Sequence, residues 1–197
     1  MKKFNIKKNI ELSFHEDDFK RIELIPNKNY FFSKKYLEET VISNDKLDNE
    51  HGFSSIKVLD DQPIALIDEK ILVSEVEEVL DKITSKRTDN IKKGYSNSYT
   101  KVKKTKAWGL EYMAVLVETK EKYTESIWLL EIGGSLIIED SRGQKLLQLL
   151  LKLGNNFNLI LIDWRKEILI DISDQEQTEN YLVEELGYNL DKIVIVK

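Results

Sequence analysis

Apolar residues recur along this chain in two rhythms. Short β-branched or leucine-rich runs predict strands, and stretches with apolar residues three and four apart predict helices. The C-terminal half carries the clearest pattern. Tyr112-Met113-Ala114-Val115-Leu116-Val117-Glu118 predicts a strand. Two further apolar runs, Ser126 to Ile132 and Ser135 to Glu139, flank Gly133-Gly134, a hairpin connection in which both turn positions accept positive φ. Ser141 to Gly154 predicts a helix with Leu146, Leu147, Leu149, Leu150, Leu151 and Leu153 on nearly all sides, hence one buried over most of its surface. The runs Asn158 to Trp164 and Glu167 to Asp171, around Arg165-Lys166, predict an antiparallel hairpin. Ser173-Asp174-Gln175-Glu176 is a capping-box pattern that opens a helix burying Tyr181, Leu182 and Leu186 and stopping at Gly187. Lys192 to Val196 predicts a terminal strand. This half therefore reads β-β-β-α-β-β-α-β.

The N-terminal half is less regular. Ser74-Glu75-Val76-Glu77 predicts a helix start, with Val76, Val79, Leu80 and Ile83 on one face. Ile64 to Ile67 and Ile71 to Val73 predict short strands, Lys34 to Ile42 a helix after Ser33, and residues 43–55 a loop. Residues 86–106 show no clear periodicity and read as a polar bridge. The expected fold is α+β, an antiparallel-rich sheet with two or three packing helices. It forms one domain over residues 1–197, with a possible sub-division near 86–106.

Composition narrows the function classes. Hydrophobic residues make up 41% and charged residues 33%, which is globular usage. There is no cysteine, so disulfides, thiolate nucleophiles and cysteine-ligated metals are excluded, and a cytoplasmic, reducing compartment is expected. The basic start, Met1 to Asn9, lacks an apolar leader, and no run approaches the ~18 apolar residues of a membrane span. The partners expected are thus another protein, basic in charge, or a nucleic acid, and not a membrane. The oligomeric state is left open.

Charge is unevenly spread. The net charge is −5, yet residues 86–106 hold eight basic groups against one acid. Within or beside this island, Lys92, Lys93, Lys101, Lys103, Lys104 and Lys106 are interleaved with Tyr95, Tyr99 and Trp108. Lysines for phosphates beside rings for bases are the ingredients of single-strand nucleic-acid binding. The plainer alternatives are a solvated loop anchored by its aromatic rings, or an edge strand protected by lysine.

Catalytic patterns are sparse. No G-x-S-x-G elbow, phosphate-binding loop or dinucleotide glycine pattern occurs, and His15 and His51 sit in unrelated surroundings. Glu118-Thr119-Lys120 ends a predicted strand with the E-x-K layout of metal-dependent nucleases, and Asp68-Glu69-Lys70 has a looser form of it. Neither Pro26 nor Pro63 is followed by the acid that would complete such a site, so a solvated strand end is the simpler reading of both. No cofactor and no metal site is implied.

The C-terminal half is acidic, with Glu131, Glu139, Asp140, Asp163 and Asp171 ahead of Asp174, Glu176, Glu179, Glu184 and Glu185. The last five are the candidate protein-binding residues. The leading expectation is a non-enzymatic protein-binding module, of the type of a toxin-neutralising immunity protein, that occludes a basic target through this surface. Trp128 and Trp164 would anchor it if exposed. The simpler reading is that these acids keep an apolar sheet soluble. Nucleic-acid binding through residues 86–108 is the second expectation and a metal-dependent nuclease the third.

Overall fold

The computed structural model describes residues 11–47, 63–84, 86–95, 98–110, 112–132 and 142–190. His51, the Gly133-Gly134 connection, the run from Ser135 and the expected strand at Lys192 to Val196 lie outside them, as do Glu139 and Asp140.

The described strands are β1 (Leu12–His15), β2 (Ile22–Pro26), β3 (Arg87–Thr88), β4 (Ile91–Tyr95), β5 (Ser98–Lys101), β6 (Thr105–Leu110), β7 (Met113–Lys120), β8 (Tyr123–Glu131), β9 (Leu159–Asp163) and β10 (Ile168–Ile170). The α-helices are α1 (Tyr30–Leu47), α2 (Val73–Ile83), α3 (Arg142–Phe157) and α4 (Gln175–Asn180). Seven strands form a wholly antiparallel central sheet in the order β10-β9-β2-β8-β7-β6-β3. A smaller sheet, β1-β4-β5, pairs β1 parallel to β4 and β4 antiparallel to β5. The fold is α+β with a mostly antiparallel sheet.

Strand alternation assigns side chains to the two faces of the central sheet. On one face Trp108, Val115, Ile127, Leu129 and Leu161 meet Val76 and Leu80 of α2, Leu149 and Leu150 of α3, and Tyr181 and Leu182 beyond α4. On the other face, Ala107, Ala114, Leu116 and Trp128 pack against Leu12, Phe14 and Ile91 of the small sheet. Farther along that face, Ile25, Ile160 and Ile162 pack against Leu37 of α1. The central sheet is thus covered on both sides, which is why β9 is buried at every position.

Several local expectations need correction. The region 86–106 is not a polar bridge but holds β3, β4, β5 and the start of β6. Its period is hidden because Lys93, facing the core side between Ile91 and Phe14, lays its ammonium over the Phe19 ring at 4.5 Å. Residues 64–67 are not a strand: Leu66–Glu69 is a 3₁₀ turn that ends with Lys70 in the left-handed region (φ 53°). Of the expected strand at Ile71 to Val73, only a single bridge, Leu72 to Tyr123, forms before α2 begins. The cap of α2 falls earlier than expected, with the Glu75 carboxylate accepting from the Leu72 N–H at 3.3 Å. Helix α1 starts before Ser33, which is buried within it, and runs to Leu47 into the expected loop. Its start follows Asn29, whose buried amide donates to the Ile64 carbonyl (2.8 Å) and accepts from the Ile64 N–H (3.2 Å).

Candidate functional site

The acidic residues selected from the sequence fall on one continuous segment: the cap Asp174, α4, and the π-turn Tyr181–Glu185 that extends it. The sequence from Ile172 to Leu190 has five acids and no basic residue. Two capping patterns overlap at its start, and the carboxylate wins: Asp174, not Ser173, accepts from the Gln177 N–H at 3.1 Å. Ser173 donates instead to Asp171 at 2.6 Å. The Gln177 backbone and side-chain donors hold the Asp174 carboxyl below the usual carboxylate range.

The inner side of the segment is fixed by burial of Thr178, Tyr181, Leu182, Leu186 and Tyr188. The Tyr181 hydroxyl donates to Asp163 Oδ2 at 3.0 Å, while Asp163 Oδ1 accepts from the N–H groups of Arg165 (3.1 Å) and Lys166 (3.2 Å). Burial, then the neighbouring Asp163 carboxylate, pushes the Tyr181 phenol well above its ordinary range, so it stays a donor. Lys166 Nζ also donates to the Glu185 carbonyl and pairs with its carboxylate at 3.1 Å. Gly187 closes the segment at φ +70°, where a residue without Cβ is unstrained. The outer side exposes Glu176, Asn180, Val183 and Glu184, with Val183 at 45% exposure. Among the described residues, Glu176 and Glu184 form no ion pair. Glu185 pairs with Lys166, and Glu179 accepts from Gln175 at 2.6 Å.

Of the other described acids of this half, Asp163 and Glu131 do not extend the surface. Asp163 is fully buried as the anchor just described, and Glu131 pairs with Arg165 at 3.1 Å. The tryptophans are not anchors either. Trp128 is 1% exposed, and Trp164 is partly buried with its Nε1–H donated to Glu23 at 2.8 Å. Burial raises the Glu23 carboxyl above its ordinary range, partly offset by the Trp164 donor.

The basic candidates are divided by the fold. Lys106 pairs with Glu77 at 2.6 Å, and Lys92 pairs with Glu11 at 3.0 Å, which holds the Glu11 carboxyl low. Lys93 is engaged over Phe19. Trp108 is fully buried, donating to Asp81 at 2.6 Å. Lys101, Lys103 and Lys104 are exposed without an ion pair among the described residues; Tyr99 (42% exposed) shares the face of Lys101, and Tyr95 (60%) lies against His15 at 4.8 Å. These lie on the small-sheet side of the central sheet, and the acidic segment lies on the helical side. The charge asymmetry of the sequence is therefore a spatial one.

Glu118 and Lys120 are not brought together as a site. The Glu118 carboxylate accepts from Ser126 Oγ at 2.5 Å and pairs with Lys20 at 2.9 Å, while Lys120 stands exposed at the strand end. In the Asp68-Glu69-Lys70 triplet, Glu69 pairs with Lys28 at 2.8 Å and Asp68 accepts from the Ala65 N–H at 3.3 Å. Among the described residues no group of three or more His, Asp or Glu is placed to hold a metal ion. His15 Nδ1 accepts from the Asp17 N–H at 3.2 Å, a local turn contact. Among the described residues no helix is long and apolar enough to cross a membrane.

Sequence reasoning missed Val183, the apolar residue within the acidic row, and Lys122, which joins Lys120 near the 103–104 turn. Only register could show the latter, since Thr105 opposes Glu118 across β6 and β7. No known protein family, curated protein or solved structure matches this chain.

Proposed function

We propose that the protein is a non-enzymatic binding module that covers a basic surface on another protein with the segment from Asp174 to Glu185. A toxin-neutralising immunity protein acting by occlusion is the type of molecule this describes. The observation that carries the reading is the run of all five candidate acids along one anchored segment, with Glu176 and Glu184, which form no ion pair among the described residues, beside exposed Val183. Such a patch supplies a small apolar contact within a charged rim. Its negative field would accelerate encounter with a basic partner and disfavour acidic ones. The buried Tyr181–Asp163 bond and the Lys166 contacts pre-order the backbone, which lowers the entropy lost on docking.

The test is capture from nuclease-treated native lysate with three baits: the parent, a Glu176→Lys/Glu184→Lys variant and a Lys101→Glu/Lys103→Glu/Lys104→Glu variant. The reading expects one basic protein, captured stoichiometrically by the parent and the lysine variant and lost from the glutamate variant. Equal capture by all three would remove the acidic segment from the interface.

A further inference from the structure

A second surface carries chemistry that the acidic segment does not use. On β5 all four residues are exposed, and its Tyr99 opposes Gly94 on β4. Gly94 allows this approach: a Cβ there would lie 2.0 Å from the Ser98 carbonyl oxygen. Lys101 sits directly opposite Lys92, a like-charge pair that is unfavourable unless an anion or a carboxylate lies nearby. Glu11 serves Lys92, and nothing among the described residues serves Lys101.

Past β5 the turn at Lys103-Lys104 is held against the end of β7, where the Thr119 N–H and Oγ1 both donate to the Lys104 carbonyl (2.9 and 3.1 Å). Exposed Lys120 and Lys122 follow on the β7–β8 turn. A lysine strip thus begins beside the exposed Tyr99 ring, which shares the face of Lys101, and continues across two adjacent turns. The nearby acids are largely occupied: Glu118 by Lys20, and Asp18 by Arg21 at 3.1 Å. Glu16 and Asp17 bound the strip at the Tyr95 end, and Glu121 interrupts it between Lys120 and Lys122.

We infer that this strip binds single-stranded nucleic acid, with Tyr99 stacking on bases and Lys101, Lys103, Lys104 and Lys120 meeting successive phosphates. Lysines spaced along the strip with an exposed ring beside them match a phosphodiester backbone whose bases can stack, and the poly-glutamate comparison below separates this occupant from an acidic protein. Bases offer a π-face to any ring, so sequence preference is weak, and a duplex, whose bases are already stacked, binds less well.

The test is fluorescence anisotropy of fluorescein-labelled dT20 and rU20 with the full chain, with a duplex of equal length and a labelled poly-glutamate peptide alongside. Three or four phosphate contacts predict affinity falling about 20- to 50-fold between 50 and 200 mM salt. Tyr99→Ala should weaken dT20 about tenfold while leaving the salt slope unchanged. Lys103→Ala/Lys104→Ala should lower both the affinity and the slope. These side chains are exposed, so thermal unfolding of each variant should match the parent. Poly-glutamate binding as tight as dT20, or Tyr99→Ala and the lysine variant binding dT20 like the parent, would overturn the inference. The strip and the acidic segment share no residue, so this result stands apart from the capture experiment.

Discussion

Tyr181→Phe removes one oxygen and should loosen the whole acidic segment. In the folded protein the hydroxyl is buried and donates to Asp163 Oδ2 at 3.0 Å, and Asp163 is itself without solvent contact. The other Asp163 oxygen keeps its two backbone donors, so the carboxylate loses one hydrogen bond rather than all. A hydrogen bond to a charged group contributes about 1.5–3 kcal/mol, and the acceptor left behind has no water to replace the donor. For a chain of 197 residues this corresponds to a Tm lower by about 3–12 °C. Urea unfolding should show a lower midpoint at unchanged slope, and a double-mutant cycle with Asp163→Asn should recover most of the loss as coupling. Hydrogen exchange at residues 182–188 should quicken before exchange in β9 does. The sign of the pH dependence follows from the same bond. The folded state holds the Tyr181 proton above the ordinary tyrosine range and raises Tyr188 to about 12. Both contributions are therefore full below about pH 10 and lost as pH rises beyond it. Tyr181→Phe should shrink that alkaline loss. A variant within 1 °C of the parent, with no coupling to Asp163, would refute the role given to this pair.

Three further outcomes follow from the packing. Burial raises the Glu23 carboxyl, so its stabilising contribution is present at low pH and lost as pH rises through its folded value. Glu23→Gln keeps an acceptor for Trp164 and should be at least as stable as the parent at pH 7 in a thermal melt, whereas Glu23→Ala should be less stable. Leu150→Ala, at a fully buried position between α3 and the sheet, should cost about 2–5 kcal/mol in denaturant unfolding. Gly94→Ala forces backbone apart, because its Cβ would also lie 2.7 Å from the Tyr99 Cα; amide protection in β5 should fall while β8 and β9 keep theirs.

The parts of the fold legible in the sequence are those whose side chains follow one simple period. The run Leu159-Ile160-Leu161-Ile162 reads as a strand because the central sheet is covered on both faces, and the leucines of α3 read as a buried helix for a similar reason. β4 was hidden because Lys93 occupies a core-side position through its stem and its contact with Phe19. The start of α1 depends on Asn29 reaching Ile64, a contact that no local pattern announces. For the surfaces, composition marked the acidic and basic segments but not which members stay free. Asp163 turns inward to hold Tyr181, Lys106 turns to Glu77, and Lys120 joins the lysine strip only through the register of β6 and β7. Charge runs are read along the chain, whereas ion pairing is settled across it.

The most direct test of the central claim is a hydrogen-exchange footprint of the protein with its captured partner. Occlusion by the acidic segment predicts slowed exchange confined to residues 174–187, with residues 91–101 unchanged. Protection that falls elsewhere and spares 174–187 would contradict the account.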